Sequence, residues 1–273
     1  MQPNIETLGI IAGSQALPML VAEEARKSGV RKIAAVAFEG ETNPGLARLV
    51  DSIEWLRVGQ LSKMVAAFRK QGVEHCVMAG QIAPKNLFEV RPDLRAMMML
   101  FRLKEKNAHT VFGAIGDELA KEGITLIEAT PWLKPAMPAA DFHLGPKISK
   151  EEREDVEFGF RMAKEISSLE IGQTVVVKDG VVLAVEGFEG TDKCLARGGE
   201  LAGSKGGAIA VKVAKKNHDM RFDIPCIGAQ TIRTCQEARV KILALEAGKT
   251  IILERAEVEK LIDRGGPAIV TVS

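Results

Sequence analysis

The sequence predicts an α/β protein: an N-terminal Rossmann-like domain, with a mostly parallel sheet and helices on both faces, followed by a C-terminal α+β domain. Three observations carry that expectation. Short apolar runs alternate with helix-length segments through the first half, as in a parallel sheet covered by helices. Pro131, Pro135, Pro138 and Pro146, with Gly145, make 130–147 a stiff, irregular connector. Beyond it, Asp179-Gly180 is a two-residue hairpin signal, so antiparallel pairing enters the second half. Domains are therefore expected at 1–134 and 149–273, joined by a linker at 135–148.

The elements follow in order. Residues 8–12 form an apolar strand ending at Gly13, and Pro18 suits the first turn of a helix that runs to 28 and stops at Gly29. A strand at 32–38 follows, then Asn43 as cap and Pro44 as first residue of a short helix. Strands are expected at 53–57, 74–79 and 124–128, and helices at 61–71 (stopped by Gly72), 93–106 and 108–122. In the second half Ser149 and Glu152 make a capping box, and the helix behind it would bury Val156, Phe160, Ala163, Ile166 and Leu169. Strands at 174–178 and 181–186 flank the hairpin, a helix covers 191–201, and a strand covers 208–213. Helices at 229–238 and 255–263 alternate with strands at 241–245, 250–253 and 268–272.

Met97 to Phe101 are five consecutive apolar residues, which at about 100° per residue surround a helix completely. The expectation is a helix buried on several sides. The alternative is a face that meets a partner or an acyl chain, with Arg91, Arg95, Arg102 and Lys104 bracketing it for an anionic group.

Composition excludes several classes. Charges nearly cancel at a formal +1, against the basic excess of a nucleic-acid binder, and Tyr is absent, so base-stacking platforms are not expected. Cys76, Cys194, Cys226 and Cys235 form no Cys-x-x-Cys pair and suit buried thiols in a reducing compartment. No stretch approaches the roughly 20 apolar residues of a membrane span, and the N-terminus lacks a basic and apolar leader. A cytoplasmic protein is expected.

Chemistry concentrates in two runs. The first is Glu186-Gly187-Phe188-Glu189-Gly190-Thr191-Asp192, just after a strand-like run. The second spans 212–225 and carries Lys212, Lys215, Asp219, Arg221 and Asp223. Carboxylates without a Cys or His ligand pattern suit a hard cation such as Mg²⁺, which also binds substrate phosphate. Cationic side chains suit the remaining phosphate charge. Solvated loops share this composition. What favours a site is Asp223, set between Phe222 and Ile224-Pro225, since a carboxylate in apolar surroundings needs a partner. The histidines show no ligand spacing, and His218 beside Asp219 is left outside the catalytic set. In the first half, Gly13, Ser14 and Gln15 with Gly80 and Gln81 lie at expected carboxyl ends of strands, where open α/β sheets bind ligands. The spacing Gly9-x-x-x-Gly13 is not a dinucleotide fingerprint.

These runs, with 8–18, Ala79-Gly80-Gln81 and 90–95, resemble the I-type UDP-2,3-diacylglucosamine pyrophosphatases of lipid A biosynthesis over nearly the whole chain. The chain departs from the family pattern at 106–109, where relatives carry an acidic pair, and at 216–218. The resemblance implies metal-assisted hydrolysis of UDP-2,3-diacylglucosamine to lipid X (2,3-diacylglucosamine 1-phosphate) and UMP. It implies Asp223, Asp192 and Glu189 as catalytic residues, and Asp223, Glu189, Asp192 and Glu186 as holders of Mg²⁺ or another divalent cation. Lys212, Lys215, Arg221 and Thr191 would hold the substrate, with Gly13, Ser14, Gln15, Gly80 and Gln81. Transient contact with the inner leaflet and a homodimer are the expected associations. A nucleotide-dependent oxidoreductase would leave the carboxylates idle, while a non-catalytic lipid or nucleotide-sugar carrier would bind without turnover.

Overall fold

The computed structural model describes residues 5–82, 91–104, 108–215, 219–221 and 224–273, with the backbone alone at 108 and 109. The chain divides into two compact units, Met1–Leu133 with Asp219–Asp223, and Lys134–His218 with Ile224–Ser273. Asp219–Arg221, expected in the second domain, thus belong to the first unit.

In the first unit β1 (Thr7–Ala12), β2 (Lys32–Phe38), β3 (Ser52–Leu56), β4 (His75–Ala79) and β5 (Thr125–Leu126) form a parallel sheet in the order β3-β2-β1-β4-β5. The helix α1 (Leu17–Lys27) carries Pro18 in its first turn and packs on β1 and β4. The helix α2 (Leu61–Gln71) covers β2 and β3 and ends at Gly72, whose left-handed φ of 71° is the stop its sequence predicted. Ile11, Val36, Cys76 and Met78 join Val65, Phe68 and Leu119 in one buried cluster. Asn43 caps a 3₁₀ turn, Pro44–Arg48, by accepting from Gly45 N at 2.8 Å.

The helix α3 (Leu94–Arg102) starts where Asp93 accepts from Ala96 N at 2.9 Å, and α4 (Ala108–Ala120) follows. The structure overturns the expectation of a helix buried on several sides. Only Ala96 and Met99 of α3 are buried, and Leu94, Met97, Met98 and Phe101 are exposed. The reason is Arg95, which turns inward to pair with Glu118 at 2.8 Å and Glu122 at 3.0 Å and so fixes the helix rotation.

The stretch 130–147 is less irregular than its prolines imply. It holds α5 (Thr130–Leu133), a 3₁₀ turn at Lys134–Ala136, and β6 (His143–Leu144). β6 exists because it pairs antiparallel with the last strand, a partner more than a hundred residues away.

The second unit is a mixed sheet in the order β6-β13-β11-β9-β7-β8. β7 (Thr174–Lys178) and β8 (Val181–Val185) form the expected hairpin, with left-handed Asp179 and Gly180 at its turn. β9 (Ala208–Lys212), β11 (Val240–Glu246) and β13 (Ala268–Val272) run parallel. β10 (Cys226–Ile227) and β12 (Ile251–Ile252) form a small separate pair.

On one face lies α6 (Lys150–Ser168), which begins with the predicted capping box. Val156 and Ala163 are buried there with Val175, Val177 and Val211, and Phe160 and Ile166 are partly buried. Leu169, expected in that stripe, is exposed because α6 ends one residue before it. The other face carries α7 (Thr191–Leu201), α8 (Ala229–Glu237) and α9 (Arg255–Asp263). Cys76, Cys194 and Cys235 are buried and Cys226 is half-buried, all four as free thiols. Burial pushes the Cys76 and Cys194 thiols up to about 12, so they are inert as nucleophiles at neutral pH.

Candidate active site

The core of the second unit's site is a hydrogen-bonded chain at the start of α7. Lys212, the last residue of β9, is 6% exposed, and its Nζ donates to Thr191 Oγ1 at 2.6 Å. Thr191 in turn donates to Glu186 Oε1 at 3.0 Å. Three residues from the two sequence runs are thereby brought together by the β8–β7–β9 strand order. Among the described residues no carboxylate lies within 4.0 Å of the Lys212 ammonium, and Thr191 is its hydrogen-bond partner. An ammonium has three donors, so a buried one with a single neutral partner is under-satisfied and suited to an anion.

The N-terminus of α7 adds to this. Gly190 serves as its N-cap at φ 85°, and no side chain caps the helix. Open N–H groups at a helix start favour negative charge, as does the dipole behind them. α7 reaches this position through close packing at Gly198 and Gly199. A Cβ on Gly199 would lie 2.1 Å from Ala238 O, and one on Gly198 2.6 Å from Val176.

Glu189, Lys215 and Arg221, three of the other expected site residues, are already engaged. Glu189 pairs with Arg197 at 2.7 Å and accepts from Gly187 N at 3.0 Å, and the Arg197 contact holds its carboxyl below the ordinary glutamate range. Asp192 sits in the first turn of α7. Lys215 pairs with Glu170 at 2.5 Å. In the first unit Arg221 is bound to Asp219 at 2.6 Å, which raises its pKa, with Asp117 and Glu128 adding to the effect. Asp223 and His218 lie outside the described residues. Among the described residues no group of three His, Cys, Asp or Glu converges as a metal cradle.

Sequence reasoning missed a clamp behind Lys212. Lys164 donates to Ala214 O at 2.8 Å and pairs with Glu246, whose Oε2 accepts from Ala214 N at 2.8 Å. Two charged side chains thus hold the backbone just beyond Lys212 by its N–H and its carbonyl. Their separation of 82 residues left no local signal.

In the first unit, Gly13 and Gly80 sit at neighbouring strand ends, but their backbones pack on each other. Gly13 N donates to Ala79 O at 2.7 Å and Ser14 N to Gln81 O at 2.7 Å. A Cβ on Gly13 would lie 2.6 Å from Gln81 O. Those N–H groups are spent within the fold and are not free for a phosphate, and α1 begins only at Leu17. Gln15 instead lines an open cleft of about 690 Å³ with Glu39, Glu41, Thr42, Asn43 and Trp55, at the carboxyl ends of β1 to β3. Glu39 was detectable as the residue after an apolar strand, but nothing in the sequence singled out Trp55.

Residues 7–136 match the model of the LpxI N-terminal domain, and residues 141–270 that of the LpxI C-terminal domain. The UDP-2,3-diacylglucosamine pyrophosphatase LpxI of Caulobacter vibrioides is 30% identical over 262 residues, covering 92% of each chain. Among solved structures, the biotin carboxylase domain of Hydrogenobacter thermophilus 2-oxoglutarate carboxylase aligns at 13% identity and a TM-score of 0.29. Biotin carboxylase from Campylobacter jejuni aligns at 11% identity and the same TM-score of 0.29. This chain covers only 42% of each of those two, and at such scores they carry no argument. The two domain models, matched in order, and the near-complete alignment to a curated relative show that this chain belongs to the LpxI family.

Proposed function

We propose that this chain hydrolyses the pyrophosphate bond of UDP-2,3-diacylglucosamine, releasing UMP and 2,3-diacylglucosamine 1-phosphate (lipid X) in lipid A biosynthesis. Family membership supports the substrate. The observation that carries the chemistry is the buried Lys212 ammonium, held among the described residues by Thr191 at a helix start without a side-chain cap. Phosphate oxygens there would accept from its two remaining N–H donors and from N–H groups of α7, replacing lost hydration with charge-assisted bonds. As water attacks phosphorus, charge grows on the non-bridging and leaving oxygens, and a fixed ammonium favours that state over the ground state.

Asp223 is proposed as the residue that orients or deprotonates the water. Asp192 lies in the first turn of α7, close to the same anion site in sequence, and is proposed to assist. Glu186 acts through Thr191, fixing the hydroxyl that Lys212 holds. Glu189 is committed to Arg197, and its proposed role is to hold the loop before α7. Lys215 and Arg221 are proposed to contact phosphate only after yielding their carboxylate partners. A requirement for Mg²⁺ is also proposed, with Asp223 as its first ligand. The described carboxylates do not by themselves fit a divalent ion, so no step here is routed through one. Contact with the inner leaflet and dimer formation belong to the same proposal. No helix among the described residues is long and apolar enough to cross a membrane.

The test is release of UMP from UDP-2,3-diacylglucosamine, with Mg²⁺ and with EDTA, by wild type and Asp223→Asn. The expected result is metal-dependent release that falls by about 10³-fold or more in the variant, with substrate still bound. Substrate binding by folded wild type without turnover under any metal would make the chain a carrier.

A further inference from the structure

We propose that the outer face of α3 is a docking surface for an anionic phospholipid bilayer. The observation is an apolar stripe turned outward. Leu94 is 66% exposed, Met97 40%, Met98 47% and Phe101 80%. Their spacing of i, i+3, i+4 and i+7 places all four in an arc of about 100° on one side of the helix. Arg95 points the opposite way, into Glu118 and Glu122, on the side that also buries Ala96 and Met99.

Charge selects the occupant. Arg91, Arg102 and Lys104 are exposed around the stripe, and none has an ion-pair partner among the described residues. Among the described residues, Glu118 is consumed by Arg95 and Lys121, Glu122 by Arg95 and Arg69, and Asp93 by capping α3. The surface therefore presents apolar side chains within a cationic rim, the pairing that lets a helix lie in a headgroup region of anionic lipid. A second protein copy fits less well. One nine-residue helix stripe falls far short of the roughly 800 Å² per partner of a stable interface. A bilayer needs no shape complementarity. The inference stands on this helix and does not depend on the substrate reading.

The experiment is sedimentation of the full chain with vesicles of phosphatidylethanolamine plus phosphatidylglycerol, and with vesicles of phosphatidylcholine alone. Wild type is expected to bind the anionic vesicles, and more weakly as salt rises. Met98→Glu with Phe101→Glu should lower that binding about tenfold or more at an unchanged thermal midpoint, since both side chains are already exposed. Arg102→Glu with Lys104→Glu should abolish the preference for phosphatidylglycerol. Light scattering and turnover of detergent-dispersed substrate run alongside, and both should be unchanged by Met98→Glu with Phe101→Glu. Vesicle binding that is absent in wild type or unaffected by the substitutions overturns the proposal. A dimer that Met98→Glu with Phe101→Glu dissociates assigns the stripe to a second copy, and a raised KM in detergent assigns it to the substrate's acyl chains. Each of these outcomes also overturns the proposal.

Discussion

Lys212 stores an unmet electrostatic demand. Burying an ammonium costs several kcal/mol unless ion pairs or hydrogen bonds replace its water, of order 1–3 kcal/mol for each unmade charged bond. Here one hydroxyl, Thr191 Oγ1, does so within the described residues. Lys212→Met keeps most of the aliphatic stem and removes the charge. It should lower kcat/KM about 100-fold while leaving the thermal midpoint equal or raised, as checked by UMP release and calorimetry. A variant with normal turnover would remove Lys212 from the phosphate site. Thr191→Val should act in the opposite sense on stability, because the ammonium then loses its partner while its charge remains.

The helix α7 is the element that makes this site. It carries Thr191 and Asp192 at its start, and its last turns sit against β7 and the end of α8. Gly199 faces backbone, which cannot swing away as a side-chain tip does. Gly199→Ala should therefore displace α7 and destabilise the second unit by about 1–3 kcal/mol, measured by urea unfolding, with loss of turnover accompanying it. The same variant folding at wild-type stability would show that α7 has slack in its seat. On the other side of Lys212, the Lys164–Glu246 pair holds Ala214 by both backbone groups. The strand end bearing Lys212 is thus fixed from the helix before it and the strand beside it.

Across the whole molecule, several carboxylates are stabilised in their charged form. Arg26 lowers the pKa of Asp51, Lys121 and then Arg95 lower that of Glu118, and Arg197 lowers that of Glu189. A depressed carboxylate contributes stability above its unfolded pKa of about 4 and loses it as pH falls through the lower folded value. The thermal midpoint should therefore hold from neutrality to about pH 5 and fall below about pH 4. Glu118, with its side chain 11% exposed, should dominate in the first unit. Glu118→Gln should lower the midpoint at pH 7 and converge on wild type in acid, where both carry a neutral group. A gap that widens on acidification would contradict this assignment.

Local chemistry alone determined much of this protein. The segments 32–38, 61–71, 191–201, 255–263 and 268–272 match their structural elements, because the period lies inside each segment and stop signals such as left-handed Gly72 lie beside it. Ser149 and Glu152 fold into their box for the same reason. The sequence placed Glu186 and Thr191 in one run and Lys212 in the other, the structure joins the three by hydrogen bonds, and the parallel first sheet that the alternation implied is present. Tertiary structure decided what depends on distant partners. β6 forms only against β13, the Lys164–Glu246 clamp spans two elements, and Gly13 meets Gly80 backbone to backbone. The outward face of α3 is the clearest case. Five apolar residues in a row carry no preferred direction, and the ion pairs of Arg95 with Glu118 on α4 and Glu122 just past its end chose which of them water would meet.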